Sequence, residues 1–92
     1  DGIVVIVAQI DGQNRSMSSR PNVTSFGLVA DKQDKQFAKE MEEVLELFLI
    51  NLKDGLMENP RALENELRQV VRKHIYRKMK KYPLIVPHII VM

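Results

Sequence analysis

The two histidines, His74 and His88, are the side chains of this 92-residue chain best suited to bind a metal or to move a proton near neutral pH. A catalytic zinc site usually needs several converging protein ligands, and neither histidine sits in an HxH, HxxE or HExxH spacing. The chain has no cysteine, which excludes a thiolate nucleophile and a Cys-ligated zinc. We therefore predict no metal site here. We place His74 at the margin of a helix stripe and His88 on a strand face.

Serine and carboxylate side chains also lack the spacing that catalysis requires. No serine lies in a G-x-S-x-G elbow or near a His-Asp pair. The serines considered are Ser16, Ser18, Ser19 and Ser25. Carboxylates act as general acids or bases when burial shifts their pKa, yet the glutamates lie on the polar side of a helix pattern. They are Glu40, Glu42, Glu43 and Glu46. No catalytic residue is predicted, and the chain alone is not expected to be an enzyme.

Positive charge is concentrated in the C-terminal third. Residues 60–92 contain eight Lys and Arg against two Glu, whereas residues 31–59 contain four Lys against eight acids. Clustered cations are typical of a phosphate-binding surface, and Tyr76 or Tyr82 would stack on a base. The candidate RNA-binding residues are Arg72, Lys73, Arg77, Lys80 and Lys81. The alternative is a solvated helix face that complements the helix dipole and pairs with the acidic helix before it.

Three apolar segments predict strands. Residues 2–10 are almost continuously apolar and β-branched, which favours a central strand or one covered on both faces. Residues 11–22 are polar and predict a long hairpin loop with a short paired piece near residues 16–18. Residues 23–30 predict a strand antiparallel to the first, with Gly27 marking a bulge or a close backbone approach. Residues 84–92 predict the last strand, in which Pro87 belongs at an edge or with its nitrogen facing away from the partner.

Two amphipathic helices separate the last two strands. The first begins near Asp34, and its apolar stripe is Phe37, Met41, Val44, Leu45, Phe48 and Leu52. Leu47, Leu49 and Ile50 widen that stripe, which implies a second covering surface. Asp54 and Gly55 are expected to end this helix, and Asn59 and Pro60 to begin the next. The second stripe is Leu63, Leu67, Val70, Val71, Ile75 and Met79, and Tyr82-Pro83 is expected to close it.

The predicted fold is α/β, of the two-layer α+β kind, with a three-stranded sheet, two helices on one face and the order β-β-α-α-β. Strands this apolar leave a hydrophobic face that two helices do not cover, and such a face usually marks an interface. We therefore expect the domain to bury its sheet face or a strand edge against another subunit or domain, and to self-associate when isolated. The candidate contact residues are Val5, Val7, Ile85, Val86, His88, Ile90 and Met92.

Size and composition limit the setting in which the domain works. A chain of 92 residues holds one core but not a core plus a deep cleft. Its apolar runs are too short to cross a bilayer, and no signal peptide opens it, so we predict no membrane contact. The lack of cysteine favours a reducing compartment, and we expect the cytoplasm. Because the sequence enters a β-branched run directly after Asp1, we expect an excised fragment of a larger protein.

Three segments carry a resemblance to a known family. Residues 1–5 read DGIVV, residues 25–29 read SFGLV, and residues 77–87 read RKMKKYPLIVP. In this order and at these separations they resemble the C-terminal domain of ribonuclease J, over nearly the whole chain. The family usually has Ser-Arg-Gly-Phe where this chain has Ser25, Phe26, Gly27 and Leu28, so a role of that arginine is not carried over. The family's threonine before the proline is also replaced, near Met79. These departures suggest a divergent paralogue.

The resemblance implies a parent enzyme with metallo-β-lactamase and β-CASP domains that cleaves RNA with two zinc ions. It places the metal ligands in those other domains, so this fragment is expected to hold no cofactor and no catalytic residue. Residues 1–92 are then one C-terminal accessory domain that supports oligomer assembly and activity. The implied partners are a second copy or a paralogous subunit, the parent's catalytic domains and RNA.

Overall fold

Two helices cover one face of a mixed sheet in the computed structural model, which describes residues 2–53 and 55–92. The elements are β1 (Ile3–Asp11), β2 (Ser16–Met17), β3 (Asn22–Phe26), α1 (Asp34–Ile50), α2 (Pro60–Met79) and β4 (Leu84–Val91). A single 3₁₀ turn precedes each helix. The predicted two-layer α/β fold with its β-β-α-α-β order is confirmed, and the short β2 adds a fourth strand inside the predicted hairpin loop.

The long apolar strand β1 is the centre of the sheet, as predicted. On one edge it pairs antiparallel with β3, Ile3 opposite Phe26, and then with β2, Ile10 opposite Met17. On the other edge it pairs parallel with β4, Ile3 opposite Leu84. The parallel pairing follows from the connection between these strands, because both helices lie in it and return the chain to the same end of the sheet.

Side chains alternate between the two faces of the sheet. On β1 the even-numbered side chains, from Val4 to Ile10, are at most 1% exposed beneath the helices. On β4 the odd-numbered Ile85 and Ile89 share that buried face. The predicted helix stripes close the core from above, because most of their members are buried. The buried helix residues are Phe37, Met41, Val44, Leu45, Phe48, Leu49, Leu63, Leu67, Val71 and Ile75.

Strand β3 is shorter than predicted. It ends at Phe26 and does not continue to residue 30, because Gly27 has a φ of +69° and turns the chain out of the strand. Gly27 lies against Gly2, whose φ is +97°. A Cβ on Gly2 would lie 2.4 Å from the carbonyl oxygen of Phe26, which no side chain can tolerate. The interpretation of Gly27 as a close backbone approach is therefore confirmed.

The observed first residues of both helices match the predicted ones, whereas both helices end earlier than predicted. α1 begins at Asp34 as predicted but ends at Ile50, earlier than Gly55; Asp54 lies outside the described residues. The start of α2 is confirmed, because the Asn59 side chain accepts a hydrogen bond from the Ala62 N–H at 3.2 Å, with a proline at the first helical position. α2 ends at Met79, before the expected Tyr82-Pro83 stop.

The described part of the chain contains no helix long and apolar enough to span a membrane.

Candidate functional site

The sheet face turned away from the helices is apolar and open. Rows of side chains cross it from β3 through β1 to β4, and the first row is Phe26, Ile3 and Leu84. Val5 is half-buried, and the other large apolar side chains on the strands range from 37% exposed at Val7 to 58% at Phe26 and Leu84. Met92, just beyond β4, is 74% exposed. We define the open face by these members: Ile3, Val5, Val7, Phe26, Leu84, Val86, His88, Ile90 and Met92.

The open face also lacks fixed charge. Between Ile3 and Gln9 on β1, along β3, and between Leu84 and Ile90 on β4, these described positions contain no Lys, Arg, Asp or Glu. Thr24, a short polar residue of β3, lies opposite Val5. In a chain with 28% charged residues, an uncharged face of this kind is typical of a surface that packs against protein.

Six of the seven predicted contact residues lie on the open face, and Ile85 does not. The six are Val5, Val7, Val86, His88, Ile90 and Met92. Ile85 is 1% exposed and packs under the helices, because neighbouring residues of a strand point to opposite faces. The prediction for Ile85 was wrong. Sequence reasoning missed Ile3, Phe26 and Leu84, which the strand register brings together in one row.

The outer edge of β4 is occupied by side chains from α2. The Ile89 N–H donates to Glu64 Oε2 at 2.9 Å, and Arg68 Nε donates to the Ile85 carbonyl at 3.4 Å. Pro87, between these two residues, has no N–H to offer. The Ile89 N–H and the Ile85 carbonyl are therefore already occupied by α2, which disfavours pairing of this edge with another strand. This arrangement favours the face over the edge as the contact surface.

A second, smaller apolar exposure lies on α1. Leu47 is 61% exposed and Ile50 is 68% exposed, whereas Leu49, between them in sequence, is buried in the core. Of the three residues predicted to widen the apolar stripe of α1, only Leu49 is therefore buried. Leu47 and Ile50 lie on the helical layer and not on the open face.

The predicted RNA-binding residues gather at the end of α2, which we call the cationic end: Arg72, Lys73, Arg77, Lys80 and Lys81. All five are exposed, and no acidic residue follows Glu66 in the sequence. Lys81 Nζ donates to the Leu28 carbonyl at 3.1 Å. Within residues 2–53 and 55–92, the other four form no ion pair. Their positive charge is therefore not neutralised by a described acidic side chain.

The alternative interpretation of this charge, pairing with the acidic helix α1, holds for Lys78, the residue after Arg77. Lys78 Nζ lies 2.8 Å from Glu40 Oε1, and His74 Nε2 lies 3.4 Å from Glu40 Oε2 with poor hydrogen-bond alignment. The hydrogen bond from Lys78, with a smaller contribution from His74, lowers the pKa of Glu40. This cluster joins α1 to α2 and accounts for Lys78, but not for the cationic end.

Two tyrosines lie beside the cationic end. The Tyr76 and Tyr82 rings stack, with centroids 4.5 Å apart and planes inclined by 20°. Lys80 Nζ lies 5.1 Å from the Tyr76 ring centroid. Lys80 adopts a left-handed backbone with φ +58°, which ends α2 and folds the following segment back along the helix. A hydrogen bond with Tyr76 raises the pKa of Tyr82 above its ordinary value of 10.0.

The described residues contain no group of three or more His, Cys, Asp or Glu that fits a metal ion. His74 and His88 lie on different elements, each beside a single glutamate: Glu40 for His74, and Glu64 at 3.8 Å for His88.

The described residues form a small two-layer α/β domain with one open apolar sheet face. The ribonuclease J C-terminal domain profile matches residues 1–92. The chain is 30% identical over 87 residues to ribonuclease J of Helicobacter pylori, covering 95% of this chain and 13% of that protein. It is 27% identical over 90 residues to ribonuclease J 2 of Staphylococcus epidermidis, covering 95% of this chain and 16% of that protein. The chain belongs to the ribonuclease J C-terminal domain family.

The structure gives physical reasons for parts of the resemblance. The glycines of the DGIVV and SFGLV segments are Gly2 and Gly27, which meet just beyond the paired ends of β1 and β3. Phe26 of the SFGLV segment is 58% exposed on the open face.

Proposed function

We propose that this domain is a noncatalytic assembly module of a ribonuclease J-like enzyme, and that its open face packs against the open face of a second copy. The observation that carries the proposal is a contiguous apolar face without fixed charge beside a strand edge that α2 already protects. RNA cleavage and its zinc ions belong to other parts of the parent, because this chain spans only 13% to 16% of the length of its relatives. The cytoplasm is the expected location.

Burial of the open face supplies the driving force. Complete burial of a Val, Leu or Ile side chain contributes roughly 1.5–3 kcal/mol. Covering the 37% to 58% that remains exposed on Val7, Val86, Ile90 and Leu84 therefore contributes about 1 kcal/mol for each side chain. A standard interface buries about 800 Å² on each partner, with an apolar centre and a polar rim.

A second copy is the favoured occupant because the face is uncharged. A two-fold axis places the same surface against itself, so a charged group near the axis would meet its own copy. The open face avoids this repulsion, and two such sheets pack about 10 Å apart in ordinary sandwich geometry. A paralogous subunit or the parent's catalytic domains are the other occupants that the experiment must distinguish.

Sedimentation velocity of the 92-residue chain and two matched variants tests this proposal. In Val86→Lys, the loss of about 1 kcal/mol of burial on each of two copies, together with charge burial, weakens self-association roughly 100-fold or more. Leu47→Lys changes an even more exposed side chain on α1 and leaves self-association unchanged. A strictly monomeric wild type at high micromolar concentration, or equal effects of the two variants, would contradict the proposal. If Val86→Lys alters assembly only in the full-length parent, the occupant is a catalytic domain.

RNA contact by the cationic end is a second proposed function. The supporting observation is that Arg72, Lys73, Arg77 and Lys80 are exposed in a segment with no acidic residue after Glu66. Counterion release predicts that each neutralised phosphate contact lowers the slope of log affinity against log salt by roughly 0.7 for single strands.

The test is a salt series of RNA binding by the full-length parent, with these residues changed to Gln. Weaker binding with a shallower slope and unchanged assembly supports RNA contact. An unchanged slope overturns it.

A further inference from the structure

The stacked tyrosines at the end of α2 form a flat aromatic surface inside the cationic end. We propose that Tyr76, Tyr82 and Lys80 form a stacking site for one unpaired nucleobase of single-stranded RNA. The proposal rests on the proposed RNA contact and adds the subsite that holds a base. Nothing in the assembly function requires this pair, because neither ring belongs to the open face.

The exposure of the two rings suits a base. Tyr82 is 60% exposed although it stacks on Tyr76, which is itself 37% exposed. Aromatic rings are large apolar groups that usually contribute to a core, and flat exposed rings are typical of proteins that bind single strands. A base added to the 4.5 Å stack extends it as a third flat layer.

The arrangement is also preorganised. The left-handed backbone at Lys80, which is unfavourable for a residue with a side chain, turns the chain so that Tyr82 lies over Tyr76. The Lys80 N–H donates to the Tyr76 carbonyl at 2.9 Å, which fixes that turn. Rings held in position before binding lose less conformational freedom when a ligand arrives.

Cations surround the rings along the helix. Arg72 lies one turn before Tyr76, and Lys80 lies one turn after it with Nζ 5.1 Å from the ring centroid. Arg77 is the next residue after Tyr76, and no acidic residue lies anywhere between residues 67 and 92. The phosphates on either side of a stacked base would therefore meet several cations, and residues 67–92 add no acidic side chain beside them. Bases within a duplex are already stacked on each other, so the site suits a single strand.

Intrinsic fluorescence gives a direct readout, because Tyr76 and Tyr82 are the only tyrosines and the chain has no tryptophan. The chain is titrated with short oligoadenylate, and with an abasic ribose-phosphate strand of equal length as the probe without bases. Stacking quenches tyrosine emission with oligoadenylate and not with the abasic strand. Equal quenching by both strands overturns the base-stacking site.

Three variants separate stacking from charge in fluorescein-labelled oligoadenylate binding, each checked for its fold by circular dichroism. Tyr82→Leu weakens binding about tenfold with an unchanged salt slope, because base stacking is lost and phosphate contacts remain. Tyr82→Phe keeps the ring and binds like the wild type. Arg77→Gln weakens binding and makes the salt slope shallower.

The outcomes distinguish the subsite from the proposed RNA contact. If Tyr82→Leu binds like the wild type while Arg77→Gln weakens binding, RNA contacts the cationic end without stacking, and the subsite is wrong. If the wild type binds neither strand at low salt, both the subsite and the RNA contact are wrong.

Discussion

The hydrogen bond from the Ile89 N–H to Glu64 allows a sharp test of how the β4 edge is held. The bond is 2.9 Å long, Ile89 is 4% exposed, and the Glu64 side chain is 24% exposed. A hydrogen bond to a charged group contributes about 1.5–3 kcal/mol, and a buried N–H left without a partner costs a similar amount. Glu64→Ala should therefore lower the free energy of unfolding by about 2 kcal/mol. Glu64→Gln keeps an acceptor oxygen and should lose about half as much.

Urea unfolding followed by circular dichroism measures this change. Glu66, an exposed carboxylate on the same helix, is the matched control, and Glu66→Ala should change stability by less than about 0.5 kcal/mol. In a domain of this size, 2 kcal/mol corresponds to a fall in Tm of roughly 10 °C. Amide exchange at Ile89 should also quicken in Glu64→Ala, since its partner is gone. Equal stabilities of Glu64→Ala and Glu66→Ala, with unchanged exchange at Ile89, would refute the role of Glu64.

Three further predictions concern single residues. Because the pKa of Glu40 is lowered in the folded state, its pairing stabilises the fold above its ordinary pKa of 4.5 and is lost as the pH falls through the lowered value. Glu40→Gln should be less stable than wild type by a few tenths of a kcal/mol at neutral pH, with a difference that disappears in acid; a constant difference in urea unfolding would contradict this. Tyr76→Phe should return the pKa of Tyr82 toward 10.0, and an unchanged value in an absorbance titration would exclude that hydrogen bond. Gly2→Ala should destabilise more than Gly55→Ala, because both have φ above +90° but only a Cβ at Gly2 meets a backbone oxygen, at 2.4 Å; equal losses of Tm would disprove the clash.

The sequence predicted the two-layer arrangement and the apolar faces of the helices, because both follow from the spacing of the apolar residues that become buried. A run of β-branched residues is apolar at every position of β1, so it predicts a central strand. The same run shows that both faces are apolar, which is why the open face was expected before its geometry was known. The register was not available from one strand, since it depends on the pairing with β3 and β4. The row of Phe26, Ile3 and Leu84 was missed for that reason.

Element ends were harder to predict, because tertiary structure can override local preference. Lys80, the residue after the end of α2, has a left-handed conformation that favours glycine or asparagine, and no such residue marks the position in the sequence. Tyr82-Pro83 was a reasonable stop signal but lies beyond the true end of the helix. The stacking of Tyr76 on Tyr82 depends on this turn. The sequence therefore predicted either tyrosine as a stacking residue, but not that the two rings stack on each other.

Intermolecular nuclear Overhauser effects between methyl groups test the central claim most directly, because they locate the contact as well as detect it. A millimolar mixture of isotope-labelled and unlabelled 92-residue chains should show such effects between copies at Val5, Val7, Val86 and Ile90. Effects at Leu47 and Ile50 instead, or none between copies, would contradict the assignment of the open face as the assembly surface.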